Sequence, residues 1–148
     1  MTEDGLETPR LGPTLVDSAF VWFLRIVAAF CLVFGILYWV RLVGFYDGLQ
    51  WRFDTMPVHW QVAAVSLAVL FPFAGIGLWM MASWGPVIWF LCAAIEAAMY
   101  AGFPELFGHK SALVVAHVLV AALYIAFRVA IHFERRKEQA LTQDSRRY

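Results

Sequence analysis

The chain has 148 residues, of which 62% are hydrophobic and 15% are charged, and its formal net charge is zero. Soluble domains carry roughly 45–50% apolar and about 25% charged residues, so this composition argues against a water-soluble domain and predicts a surface that faces lipid. The length permits one domain, and the zero net charge predicts no binding to nucleic acid.

Four apolar stretches account for most of the chain. A hydrocarbon core about 30 Å thick needs ~20 helical residues, and these stretches meet or approach that length. We therefore predict an all-α, four-helix transmembrane bundle. Its spans cover about residues 20–43, 58–81, 87–103 and 112–131.

Polar residues and prolines mark the ends of the predicted helices. Asp17 or Ser18 can cap the first helix by accepting from its free amide groups. Asp54 or Thr55 can cap the second helix, just before a proline. The segment Ser83-Trp84-Gly85-Pro86 predicts a very short turn, so spans two and three should form an antiparallel hairpin.

Positive charge is concentrated on the side of the bundle that holds both termini. That side carries Arg10, Arg135, Arg136, Lys137, Arg146 and Arg147. The opposite side carries Arg52 and Lys110, so the positive-inside rule predicts that both termini are cytoplasmic. The membrane domain then covers residues 18–133, between cytoplasmic tails at 1–17 and 134–148.

Small residues recur at intervals of four in the third and fourth spans. The stripes are Ala93, Ala97 and Ala101, then Ala94, Ala98 and Gly102, and finally Ala122, Ala126 and Ala130. Small residues at this spacing let helices approach closely in lipid. We therefore expect spans three and four to pack most closely, and a seam between copies of the chain is an alternative use of the same stripes.

Glu96 and His117 are the candidate functional pair within the membrane. Glu96 lies about 8 residues, or ~12 Å, before the end of span three, too deep for its short side chain to reach water. His117 lies about 6 residues, or ~9 Å, into span four. Because these spans are antiparallel and joined by a short loop, the two depths match and we expect the side chains to meet.

Helical periodicity extends this pair into a candidate polar seam. Tyr100 shares a helix face with Glu96, while Tyr124 and Arg128 share a face with His117. Histidine titrates near neutral pH, so the pair can act as a proton-responsive element. The alternative is a purely structural polar bond that fixes the register of two helices.

The loop between spans one and two is rich in aromatic and charged residues. Arg41, Trp51, Arg52 and Asp54 form a candidate surface for a partner protein, in which Arg52 and Asp54 can pair. A lid over the outer end of the bundle and a loop lying on lipid headgroups are the other interpretations.

No catalytic residue, metal site or cofactor site is predicted. Phosphate-binding, dinucleotide-binding, zinc-protease and serine-hydrolase motifs are all missing from the sequence, so we expect no enzyme with a familiar mechanism. Cys31 and Cys92 lie within apolar stretches and are interpreted as reduced packing residues. His59 and His117 differ in depth, which disfavours haem held between them.

Three segments carry a resemblance to a known family. They are residues 37–44 (LYWVRLVG), 51–57 (WRFDTMP) and 77–87 (GLWMMASWGPV). The chain resembles an uncharacterised family of alphaproteobacterial inner-membrane proteins, a domain of unknown function, over about residues 19–136. The resemblance implies a four-span protein of the bacterial inner membrane and supplies no activity. A looser likeness to small four-span proteins of the DoxX type rests on architecture alone.

Three functions remain open from the sequence. An accessory or scaffold subunit, acting through contacts with another membrane protein or a second copy, fits the lack of a soluble domain. A subunit that conducts protons or a small solute would use Glu96 and His117. A membrane redox protein that binds haem or quinone is the third alternative.

Overall fold

The computed structural model describes residues 14–48 and 52–145, and the described part of the chain is helical, with no strand. In chain order the elements are α1 (Leu15–Val43), α2 (Val58–Trp79), α3 (Trp84–Ala97), a π-helical turn (Ala98–Gly102), α4 (Pro104–Phe107) and α5 (Ser111–Ser145). Among these residues, four helical stretches are long and apolar enough to cross a membrane: 15–43, 58–79, 84–102 and 111–137. The predicted all-helical, four-span architecture is confirmed to this extent.

Helix α1 begins earlier than predicted because Thr14, and neither Asp17 nor Ser18, is its N-cap. The Thr14 hydroxyl accepts from the Asp17 amide at 3.2 Å, and the Asp17 carboxylate reaches back to the Thr14 amide, which completes a capping box. At the other end Gly44 adopts φ 73°, a left-handed conformation that suits glycine.

The turn between α2 and α3 also lies earlier than predicted. Residues 80–83 form it, and α3 already begins at Trp84, so that Gly85 and Pro86 lie in its first turn. Proline is tolerated there because its missing amide hydrogen has no helical partner. Helix α2 begins after Pro57 without a side-chain cap, so the predicted caps Asp54 and Thr55 are wrong.

Helices α1 and α2 share the most extensive packing in the described bundle. At Gly35 an added Cβ would lie 2.7 Å from Cγ of Pro72, which shows how closely α1 approaches the proline ring. Helix α2 continues through Pro72, with Phe71 and Ala74 buried beside it. The small residues that permit this approach lie on α1 and α2, as close packing in lipid requires.

The prediction that the third and fourth spans pack most closely is therefore wrong. Ala94, Ala98 and Gly102 are exposed at the surface of α3 and the π-helical turn, as are Ala122 and Ala126 on α5. Small residues at intervals of four also occur by chance on alanine-rich apolar helices. Spacing alone does not identify which face of such a helix is turned inward.

Helix α5 lies at the periphery of the bundle. No residue in its membrane-spanning stretch, 111–137, is buried. It is attached partly by aromatic contacts to α1, where the Phe127 ring lies 5.4 Å from Phe23 and 5.9 Å from Phe20. It begins after α4 and continues as helix beyond its span into the predicted tail, as far as Ser145.

Candidate functional site

Glu96 is a carboxyl group enclosed by apolar helices. Its side chain is 1% exposed, and it is the one buried charged residue in the described part of the chain. It lies on α3, directly before the helix widens into the π-helical turn. An isolated carboxylate in such surroundings is very unfavourable, so its two oxygens need partners or a proton.

His117 is the partner of one carboxylate oxygen. Its Nε2 lies 2.6 Å from Oε2 of Glu96, so the structure brings together the two residues that the depth argument paired. The contact must contain a proton, because neither a carboxylate nor an unprotonated imidazole nitrogen can donate. Either imidazole N–H donates to the carboxylate, or the carboxylic acid donates to the imidazole.

Tyr38 on α1 is the partner of the other carboxylate oxygen. Its hydroxyl donates to Oε1 of Glu96 at 2.7 Å, and its ring stacks on Phe71 with centroids 5.8 Å apart. Sequence reasoning missed this residue because a tyrosine in an apolar helix resembles any other aromatic packing residue. The available signal was that a tyrosine hydroxyl buried in lipid needs a hydrogen-bond partner.

Further polar side chains continue from Glu96 toward the end of the bundle that holds the loop after α1. Tyr100 is 5% exposed, and both the Tyr38 hydroxyl and the Arg41 guanidinium interact with its side chain. Nζ of Lys110 lies 5.3 Å from the centre of the Tyr100 ring. We call Tyr38, Arg41, Glu96, Tyr100, Lys110 and His117 the polar cluster.

Arg41 is turned toward the bundle. Its guanidinium carbon lies 5.3 Å from the centre of the Tyr38 ring and 5.5 Å from that of Trp60. A guanidinium group is weakly hydrated and is attracted to aromatic faces, so it is well suited to this level of the membrane. Arg41 therefore contributes to the polar cluster, although the sequence grouped it with the outer loop.

Lys110 lies at the edge of the polar cluster, just before α5 begins. Partial burial lowers its pKa from the usual lysine value, and the positive charge of Arg41 lowers it further. The negative charge of Glu96 acts in the opposite direction. The ammonium group of Lys110 is therefore electrostatically coupled to both residues.

The other members of the predicted seam lie farther along α5. The Tyr124 ring lies 5.9 Å from Phe20 and 5.8 Å from Phe90. Arg128 is exposed and lines, together with Tyr124 and Ser83, a cavity of about 260 Å³ near the turn between α2 and α3. The structure thus joins Glu96 to Tyr38 and His117, and gives Tyr124 and Arg128 different neighbours.

The remaining loop residues form an exposed ion pair. Arg52 Nη2 lies 2.8 Å from Asp54 Oδ2, and Arg52 Nε donates to Asp54 Oδ1 at 3.1 Å. This hydrogen bonding lowers the pKa of the Asp54 carboxyl. Trp51 lies outside the described residues, so the partner surface remains a prediction.

Within 14–48 and 52–145 no three histidine, cysteine or acidic side chains form a group that can hold a metal ion. The His59 ring packs edge-on against Phe107 at 5.1 Å, whereas His117 is engaged with Glu96. Cys31 and Cys92 are buried as free thiols.

A family profile matches residues 18–135, a segment that contains every member of the polar cluster. The chain belongs to DUF6163, a family of unknown function. The predicted membership of a family without a known function is confirmed. Neither a curated protein nor a solved structure matches the chain. Membership of this family assigns no activity to the polar cluster.

Proposed function

We propose that this protein is a proton-responsive, multi-pass protein of the bacterial inner membrane, with both termini in the cytoplasm. Glu96 and His117 exchange a proton with the side of the membrane that holds the loop after α1. The observation that carries the proposal is the 2.6 Å contact between His117 Nε2 and the buried carboxyl of Glu96.

The chemistry of this contact supports proton exchange. A carboxyl group and an imidazole in direct contact share one proton, which either group can hold. The two protonation arrangements differ by the transfer of one proton over a short distance. The site therefore stays satisfied by hydrogen bonds in either arrangement, with Tyr38 donating to the second oxygen.

The polar cluster also supports a direction for the exchange. From Glu96 it continues through Tyr38 and Tyr100 to Lys110 at the edge of the cluster. Toward the other end of the bundle, the buried residues are apolar and include Leu24, Ala28, Leu67 and Leu78. A proton therefore meets hydrogen-bonding groups on the loop side, whereas these buried apolar side chains on the terminal side offer none.

The test is proton uptake by purified protein in proteoliposomes after a pH step applied to the outside. We expect wild-type vesicles to respond above empty vesicles, and Glu96→Gln vesicles to take up fewer protons because the amide keeps a similar shape without a titratable proton. Tyr124→Phe, which changes a hydroxyl outside the polar cluster, is the matched control and should respond as wild type. Equal responses in wild type and Glu96→Gln would reject the proposal.

A second candidate function is an accessory or scaffold subunit that binds another membrane protein. The position of α5 favours this function, because no residue in its membrane-spanning stretch is buried. Ala122 and Ala126 therefore lie on an exposed apolar face of this helix. Small residues on such a face permit a second helix to approach closely. In neither function do we propose an enzymatic reaction.

Purification from native membranes in mild detergent tests this second function. A stoichiometric protein partner should be recovered with wild type and lost with Ala122→Phe, which adds bulk to the exposed face. Ala98→Phe, on an exposed face of another helix, is the control. Repeated recovery of the chain alone would remove support for a scaffold role.

A further inference from the structure

A cavity of about 260 Å³ lies beside the contact between Glu96 and His117, where α1, α2, α3 and α5 meet. Its walls combine the aromatic side chains of Phe30, Phe34, Phe71 and Trp89 with small and aliphatic side chains. Helix α5 contributes Ala116 and the imidazole ring of His117. The cavity is thus apolar, with the titratable pair of the polar cluster at its edge.

The size of this cavity is sufficient for a ring compound. An apolar cavity of about 150 Å³ lined by aliphatic and aromatic side chains stays dry and binds benzene. The present volume of about 260 Å³ exceeds that and leaves room for substituents on the ring. A well-formed apolar pocket with a few polar groups is the usual form of a small-molecule site.

The walls favour a flat ring over a flexible chain. Phe34 and Phe71 stack with their centroids 5.6 Å apart and an interplanar angle of 24°, and Trp89 meets the His117 ring edge-on at 6.1 Å. Aromatic faces and edges at these separations interact favourably with a further aromatic or quinonoid ring. An acyl chain would fill the same volume without using these faces.

His117 supplies the polar contact for such a ring. Within the described part of the chain its hydrogen bonds run to Glu96 alone, through Nε2. Its second ring nitrogen, Nδ1, can therefore form a hydrogen bond with a ligand. Because the Glu96 contact fixes the imidazole, little conformational freedom is lost when that bond forms.

Helix α5 provides a route from the lipid. It forms one wall of the cavity through Ala116 and His117, yet none of the residues in its membrane-spanning stretch is buried. A lipid-soluble compound can therefore reach the cavity beside α5 without crossing the packed interior between α1 and α2. A water-soluble ligand would have to pass through hydrocarbon.

We infer that this cavity binds the headgroup of a lipid-soluble quinone, with Nδ1–H of His117 donating a hydrogen bond to one quinone oxygen. The binding does not require the proton exchange proposed above, because cavity shape and a single hydrogen bond are sufficient for it.

The experiment measures retention of decylubiquinone by the protein in nanodiscs of phosphatidylcholine, at one pH and without a proton gradient, against empty nanodiscs. Wild type should bind saturably, with one quinone per chain. Ala116→Phe places a ring in the cavity while leaving Glu96 and His117 unchanged, and it should abolish saturable binding. Ala122→Phe adds the same bulk to α5 away from the cavity lining and should bind as wild type.

A second variant tests the hydrogen bond. His117→Phe keeps a ring of similar size and should weaken binding about three- to tenfold, the range expected for one lost hydrogen bond. Equal binding by His117→Phe and wild type would overturn the assigned contact and indicate an apolar occupant such as an acyl chain. Unsaturable binding, or equal retention by Ala116→Phe, would overturn the site itself. Because proton uptake is measured separately with Glu96→Gln, failure of either proposal leaves the other assessable.

Discussion

The hydroxyl group of Tyr38 on α1 lies 2.7 Å from Oε1 of Glu96 on α3, and His117 on α5 approaches the other oxygen of the same carboxyl group. One buried side chain therefore joins three membrane-spanning helices. Because Glu96 is almost fully enclosed, these two hydrogen bonds satisfy both of its carboxyl oxygens and fix the relative positions of the helices that supply them.

Removing the Tyr38 hydroxyl should destabilise the bundle. Tyr38→Phe leaves one oxygen of Glu96 without its donor, and we expect the free energy of unfolding to fall by about 1–2 kcal/mol, the upper part of the range for hydrogen bonds between membrane helices. Reversible unfolding in mixed micelles measures this change. Tyr124→Phe is the matched control, with an expected loss below about 0.5 kcal/mol. Equal losses in the two variants would contradict the importance of the Tyr38 contact.

A methyl group at Gly35 should also destabilise the protein. In Gly35→Ala the new Cβ would lie 2.7 Å from Cγ and 2.8 Å from Cδ of Pro72, a rigid ring that cannot move aside without shifting the backbone. We expect a loss of about 1–3 kcal/mol, as is typical of overpacking. Gly102→Ala is the control, because nothing lies within 4 Å of its added Cβ. A stable Gly35→Ala protein would show that α1 and α2 are less closely packed.

The lowered pKa of Lys110 should respond to its charged neighbours in opposite directions. Arg41→Gln removes a repulsive positive charge and should raise the pKa of Lys110, whereas Glu96→Gln removes an attractive negative charge and should lower it further. The pH dependence of acetylation at Lys110, followed by mass spectrometry, measures both shifts. Shifts of the same sign would refute the coupling.

The same lowered pKa fixes the sign of a contribution to stability. The unfolded chain binds the Lys110 proton more tightly than the folded chain, so the charged amine disfavours folding. Below the pKa that Lys110 has in the folded protein, this unfavourable contribution to the free energy of folding is fully present. It is relieved as the pH rises from that pKa toward the ordinary pKa of lysine. Between these two pKa values the relief should contribute an increase to the thermal unfolding midpoint of the wild type. Lys110→Met lacks this contribution, so its midpoint should rise less with pH over the same range.

The exposed pair of Arg52 and Asp54 should matter little for stability. Its hydrogen bond lowers the pKa of Asp54. The pair therefore contributes to the stability of the folded protein above the ordinary pKa of aspartate, and this contribution is lost as the pH falls through the lower pKa that Asp54 has in the folded protein. Because both side chains are exposed, Asp54→Asn should change the thermal midpoint only slightly at neutral pH. A large decrease would show that the loop carries more of the fold than this ion pair indicates.

The four spans and the meeting of Glu96 with His117 could be predicted from the sequence. Both follow from one quantity, the 1.5 Å rise of a helix, which converts residue number into depth in the membrane. The pairing of α1 with α2 could not be predicted in this way. Lipid is as apolar as the bundle interior, so hydrophobicity does not distinguish the inward face of such a helix.

Tyr38 and Arg41 illustrate the same difficulty within the site. Tyr38 lies in an apolar run, where its depth alone gave no reason to select it over the neighbouring aromatic residues. Arg41 precedes the outer loop and was grouped with that loop by sequence position, whereas the aromatic faces of Tyr38 and Trp60 hold its guanidinium at the bundle. These contacts arise from the tertiary structure and have no periodic signature.

The peripheral position of α5 has a consequence for biogenesis. Because the first three spans form the packed interior and α5 adds no buried residue within its span, the earlier part of the chain can assemble before the last helix is synthesised. Docking of α5 then brings His117 to a carboxyl group that Tyr38 already holds. Completion of the hydrogen bonds around Glu96 would thus coincide with the final insertion step, and a chain interrupted before Ser111 would leave that carboxyl group half satisfied in the membrane.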